Sequence, residues 1–172
     1  MNETQIIIGV SSCLLGEVVR YDGGNSRNEW VLGLRENGFT LLPVCAELEL
    51  GMPVPREKIC LVGDAGNPKL IGEDTGRDWT DEMIAFAHKR LGRADMSRMS
   101  GFILKDKSPS CGIDNVMRFS SLGEVPAQDG TGLFARILLQ LYPNLPVLDS
   151  RLIDDERERE EFVKGVLQYS HG

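Results

Sequence analysis

Residues 5–13 read QIIIGVSSC, an apolar run that closes on two serines and a cysteine. A stretch this short, rich in Ile and unbroken by charge, has the character of a strand buried on both faces, as in a parallel sheet. Two further runs repeat the plan. Phe39 to Val44 (FTLLPV) leads directly into Cys45, and Gly101 to Lys105 (GFILK) leads into the turn that carries Cys111. Helical segments separate the three runs, which makes them parallel strands of β-α-β units with right-handed crossovers. The expected fold class is α/β: a single Rossmann-like domain over residues 1–172, with a mainly parallel sheet flanked by helices. Ligands of such sheets gather outside the carboxyl ends of the strands. Three cysteines far apart in sequence are thereby directed toward one rim.

The rest of the chain is read around that frame. Leu14 to Asn25 is a Gly-rich loop ending in Asp22-Gly23-Gly24. Ser26 is the expected N-cap of a helix Arg27 to Asn37, buried through Trp30, Val31 and Leu34, with Gly38 as its left-handed stop. Ala46 to Arg56 contains Gly51, Pro53 and Pro55 and is expected to be irregular. Lys58 to Val62 and Lys69 to Ile71 form a hairpin. A helix over Thr80 to Arg98 presents Met83, Ile84, Phe86, Ala87, Leu91 and Ala94 on one side. A helix after Asp129 to Gly132, a strand Pro146 to Leu148 and a charged helix Asp154 to Tyr169 complete the reading, the last with i,i+4 pairs such as Asp155 with Arg159.

Composition narrows the function. Of 172 residues, 41% are hydrophobic and 26% charged, the balance of a globular protein. No apolar stretch is long enough to span a bilayer, and the start MNETQ lacks the basic-then-apolar plan of a signal peptide. The expected location is the cytoplasm, with no membrane partner. A net charge of -7 disfavours a general nucleic-acid surface, which draws its affinity from Lys and Arg. No dinucleotide or P-loop glycine motif occurs.

The four cysteines carry the chemistry. Structural disulfides are rare in the cytoplasm, so Cys13, Cys45, Cys60 and Cys111 point to metal or reactive thiols. No C-x-x-C is present, which removes the usual support for zinc-ribbon and thioredoxin readings. Cys60 sits inside the apolar Ile59-Cys60-Leu61-Val62 and reads as a small buried hydrophobe. For the other three, spacing alone leaves two readings equally open: unreactive buried thiols, or a three-sulfur metal site with an open fourth position. A zinc ion with a bound water fits that donor set as well as an iron–sulfur cluster does. His88 and His171 have no partner at ligand spacing and read as structural or solvent-facing.

Three segments carry a resemblance. Cys13-Leu14-Leu15-Gly16 followed by Arg20-Tyr21-Asp22-Gly23, then Pro43-Val44-Cys45-Ala46-Glu47, then Ser108-Pro109-Ser110-Cys111-Gly112, together with Gly51 to Arg56, resemble the hallmarks of the former domain-of-unknown-function family that contains bacterial thiouracil desulfidases. Members usually carry Pro where this chain has Ala46. The resemblance implies a [4Fe-4S] cluster held by Cys13, Cys45 and Cys111, with the iron–sulfur assembly machinery as a partner. It also implies removal of sulfur from a small thiolated pyrimidine such as thiouracil, giving uracil and sulfide.

The resemblance gives Glu47 its role, and the chemistry of the residues suggests the others. Glu47 is the expected acid/base, since a carboxylate in a partly dry pocket suits proton shuttling; its other reading is a solvated loop carboxylate. Ser108 is expected to hydrogen-bond substrate or relay a proton, against an ST-turn that only fixes its loop. Ser110 reads as structural, and Ser11 and Ser12 as backbone caps. Arg20, Tyr21 and Asp22 are candidate substrate-binding residues; Arg20 and Asp22 could instead pair with each other, and Tyr21 could simply pack. Lys105 and Lys107 would balance an anionic cluster. Competing functions are a non-catalytic redox sensor or cluster carrier, and desulfuration of 4-thiouridine in nucleosides or RNA. Glu47 together with Ser108 distinguishes an enzyme from a carrier.

Overall fold

The computed structural model describes residues 5–172. In chain order the elements are β1 (Ile6–Ser11), α1 (Glu29–Gly33), β2 (Phe39–Val44), α2 (Ala46–Leu50), β3 (Ile59–Val62), β4 (Lys69–Gly72), α3 (Thr80–Leu91), α4 (Ala94–Ser97), β5 (Met99–Leu104), β6 (Val116–Phe119), β7 (Ala127–Gly130), α5 (Leu133–Leu141), β8 (Val147–Asp149) and α6 (Glu156–His171). The main sheet has the order β2-β1-β5-β8 and is parallel throughout. The α/β class and the parallel sheet are as expected. All six residues of β5 are buried, which a continuous apolar run requires of an interior strand.

Two cores sandwich this sheet. Phe102 and Leu104 of β5 face Met83, Ala87 and Leu91 of α3 and Phe134 and Leu138 of α5. Ile103 faces the other way, with Ile8 and Val10 of β1, Val31 of α1, and Phe162 and Val166 of α6. Successive side chains of a strand leave on opposite faces, so one strand feeds both cores. The Phe102 and Phe134 rings meet edge to face at 6.1 Å.

A second, mixed sheet was not expected in full. The hairpin of β3 and β4 is present, but β6 joins β3 in parallel and β7 completes the order β4-β3-β6-β7. Both added strands are short. Asp129 of β7 takes the Arg118 guanidinium of β6 in a fork at 2.9 Å through each oxygen, a cross-strand pairing that no local pattern announces.

Four local expectations need correction. Ala46 to Arg56 is not wholly irregular: α2 occupies Ala46–Leu50, and Gly51 (φ 108°) ends the helix rather than preventing it. The first helix is only Glu29–Gly33, capped by Asn28, whose Oδ1 accepts from the Val31 N–H at 3.1 Å. Ser26 is elsewhere engaged, accepting from Arg20 at 3.0 Å. The helix from Thr80 stops at Leu91, because Arg93 is extended (φ -71°, ψ 151°), and α4 restarts at Ala94. Asp155 does not pair with Arg159; its carboxylate caps α6, accepting from the Arg157 and Glu158 N–H groups, and the i,i+4 ion pair is Arg157 with Glu161.

Candidate active site

β1 lies between β2 and β5, so the chain leaves β1 to one side and returns on its other side. That reversal is where the crevice of an open α/β sheet opens. The loops leaving these three adjacent strands carry Cys13, Cys45 and Cys111, and all three line one cavity of about 420 Å3. None is in a disulfide. Cys60 lies elsewhere, buried in β3 with its Sγ 3.6 Å from the Ile71 carbonyl.

Each cysteine is fixed by its own backbone. Cys13 sits on a 3-10 turn, Ser12–Leu15, and its carbonyl accepts from the N–H groups of Gly16 (3.2 Å) and Ser26 (2.9 Å). Cys45 is the N-cap of α2, and its N–H donates to Glu49 at 3.0 Å. Glu49 is held in turn by the buried Arg90 of α3 at 2.9 Å. The Cys111 turn is closed by the Ser108 hydroxyl, which accepts from the N–H groups of Ser110 (3.2 Å) and Cys111 (3.0 Å). Gly132 lets α5 approach this turn: a Cβ there would lie 2.5 Å from the Ser110 carbonyl carbon and 2.8 Å from the Cys111 N. Backbone cannot yield as a side-chain tip can. Gly132→Ala should therefore cost about 1–3 kcal/mol of stability by overpacking, read as a lowered unfolding midpoint, and should displace Cys111.

Burial pushes all three thiols up. Cys13 is raised to about 11, with Lys105 and Arg20 pulling it partly back. Cys45 is raised by burial and then by the Glu47 carboxylate. Cys111 is raised by burial, then by Cys45 and Glu47. Without a cation such thiols stay protonated; a bound metal supplies the charge that makes thiolates stable. Three soft donors, mutually repulsive when ionised and gathered on one cavity, fit a metal centre. Among the described residues no three His, Cys, Asp or Glu side chains meet closely enough for a single ion. The three cysteines line a cavity of about 420 Å3, far above the roughly 10–15 Å3 that a single water needs by a comparable measure, room for a multi-atom group.

Glu47 and Ser108 both line the cavity. Glu47 is not a solvated carboxylate: its Oε2 takes Arg56 through Nε at 2.7 Å and Nη2 at 2.6 Å, and its Oε1 takes the Ser110 hydroxyl at 2.9 Å. A carboxylate offers about four lone-pair sites, so one remains on Oε1. Ser108 accepts two N–H groups as an ST-turn does, and its own O–H stays available to donate. Arg20 and Tyr21 line the cavity but Asp22 does not. Asp22 pairs with Arg20 at 3.2–3.3 Å, and the Gly24 N–H with Arg20 holds its carboxyl below the usual range. Tyr21 has the Lys58 ammonium 5.5 Å from its ring centre. Ser11 caps the Lys105 N–H at 3.0 Å. Arg56 and Asp106 line the cavity without having been assigned roles. Lys107 does so from a left-handed backbone (φ 60°), uncommon for Lys and most frequent near working sites.

Residues 8–150 match the family model described as 2-thiouracil desulfurase. The chain belongs to that family. It is 32% identical over 139 residues to the uncharacterized protein YbbK of Bacillus subtilis (strain 168), covering 78% of this chain and 90% of that one. Its structure is similar to that of the [4Fe-4S]-dependent thiouracil desulfidase TudS, with a TM-score of 0.68 and 27% identity over 92% of this chain and 99% of the other. Family membership supports desulfidase activity. Among the described residues, no helix is long and apolar enough to cross a membrane.

Proposed function

We propose that this protein is a [4Fe-4S]-dependent, non-redox desulfidase that converts thiouracil-type pyrimidines to the oxygen analogue and sulfide. The observation that carries the reading is the meeting of Cys13, Cys45 and Cys111 on one cavity at the ends of three adjacent strands. The 2-thiouracil desulfurase family and the likeness to TudS support it. Those three cysteines would hold the cluster; bound there, it supplies a thiophilic Lewis acid at its uncoordinated iron.

The chain's own groups account for the rest. Glu47, with one lone-pair site left on Oε1, accepts the proton of the attacking water and returns a proton to the departing sulfur. Arg56 keeps that carboxylate oriented. Ser108 donates its hydroxyl to the pyrimidine, and Tyr21 offers a ring face. Arg20, Lys105 and Lys107 offset the negative charge of three thiolates. The atoms balance as a hydrolysis: a C–S bond is exchanged for a C–O bond, water supplies the oxygen, and no electron donor enters. The protein would depend on the iron–sulfur assembly machinery for its cluster.

A single zinc ion and a passive carrier are the competing readings. The likeness to the [4Fe-4S]-dependent TudS favours the cluster over zinc. Glu47 and Ser108 facing the same cavity favour an enzyme over a carrier. Anaerobic purification should give a brown protein containing iron and acid-labile sulfide. A colourless protein containing zinc would contradict the assignment.

A further inference from the structure

We propose that Arg56 is a positioning residue that braces the three cysteine loops through one buried hydrogen-bond chain. The inference rests on the reading of Cys13, Cys45 and Cys111 as cluster ligands. The side chains of Arg56 and Glu47 are 6% and 13% exposed. The Arg56 guanidinium donates to the Val19 carbonyl at 2.9 Å, and its backbone N–H donates to the Tyr21 carbonyl at 2.9 Å, both in the loop that follows Cys13. It also clamps Glu47, two residues after Cys45, which receives Ser110, the neighbour of Cys111. Ser110 is 1% exposed. The chain Val19 carbonyl, Arg56, Glu47, Ser110 thus touches every loop that bears a candidate ligand.

Charge explains why Arg holds this position. A guanidinium is planar and carries five donors in a fixed fork. Here one guanidinium serves Glu47, the Val19 carbonyl and the Pro53 carbonyl (3.2 Å) at once. A Lys ammonium at the end of its flexible stem reaches fewer of these. Without Arg56, Glu47 would keep a buried charge without its cation, and the loop of Cys13 would lose its anchor to the Glu47–Ser110 pair that joins the loops of Cys45 and Cys111. Partners one step behind metal ligands typically contribute about 10–100-fold to metal affinity or activity.

Cys60 provides an internal control. It is buried in β3, apart from the cavity, so global loosening exposes it along with the other thiols, whereas loss of the brace exposes only Cys13, Cys45 and Cys111. The experiment compares wild type, Arg56→Met, Arg56→Lys and Ser110→Ala. In the cluster-free protein, the alkylation rate by N-ethylmaleimide is measured at each cysteine by mass spectrometry. In the reconstituted protein, the rate of iron loss to an added chelator is measured. Arg56→Met should raise alkylation at the three site cysteines about 10-fold or more with Cys60 unchanged, and should speed iron loss about 10–100-fold. Arg56→Lys should recover part of both effects. Ser110→Ala, which leaves the ion pair intact, should loosen Cys111 most, and it decides the matter if Arg56→Met does not fold. Unchanged rates at the site cysteines, or equal increases at Cys60, would overturn the brace. If wild type takes up no cluster, the cofactor reading fails, while the alkylation pattern still tests the brace.

Discussion

Cys13→Ser, Cys45→Ser and Cys111→Ser are each expected to lose iron and desulfidase activity together, while Cys60→Ser keeps both. A hydroxyl is a poor ligand for a soft metal, and removing one of three ligands leaves an incomplete shell. The loss should reach at least about 10-fold in retained iron, since even groups one step further from the metal contribute that much. Cys60 is the discriminating control because it is as buried as Cys13, at 5% against 8% exposure, yet lies off the cavity. Iron and acid-labile sulfide are assayed on anaerobically reconstituted variants. Full iron content in any of the first three would remove that cysteine from the ligand set.

Glu47→Gln should keep the cluster and lower turnover by about 10²–10⁴-fold, the usual contribution of general acid–base catalysis. The amide retains the size of Glu47, can accept from Arg56 through its oxygen, and can donate to Ser110, so the hydrogen-bond chain survives while the ionisable group is lost. The change also removes the negative partner of an Arg56 side chain that is only 6% exposed. Breaking such a pair costs up to about 3–5 kcal/mol, so the unfolding midpoint should fall. Turnover must therefore be normalised to folded, iron-loaded protein. Near-wild-type sulfide release after that correction would assign Glu47 to the brace alone.

The strands that lead to the candidate ligands were legible because burial on both faces writes an unbroken apolar run, and each of the three runs ends close to a cysteine. The β3–β4 hairpin was legible because turn chemistry is short-range; Gly38 is left-handed (φ 87°) but closes the turn before β2, not the helix, which has already ended at Gly33. The second sheet was not. β7 is Ala-Gln-Asp-Gly, which reads as a turn, and it forms only through pairing with β6 across an Arg118–Asp129 fork. α2 was hidden by the prolines that follow it, although its support comes from Glu49 bonded back to Cys45 and from Arg90 on another helix. The partners of Glu47 lie 9 and 63 residues away, at Arg56 and Ser110, and neither separation belongs to a helix or strand period. Asp22 shows the converse limit. Its neighbours Arg20 and Tyr21 reach the cavity, but local hydrogen bonds to Gly24 and Arg20 keep Asp22 on the outside of its loop.

The central claim is that a cluster held by the three cysteines, with Glu47 and water, would exchange sulfur for oxygen without a redox partner. Its most direct test is the product stoichiometry from 2-thiouracil with anaerobic, iron-verified protein and no added reductant. The account predicts uracil and sulfide in equal amounts over many turnovers, with oxygen from labelled water appearing in the uracil. No uracil above the protein-free control, or turnover only when a reductant is supplied, would contradict it.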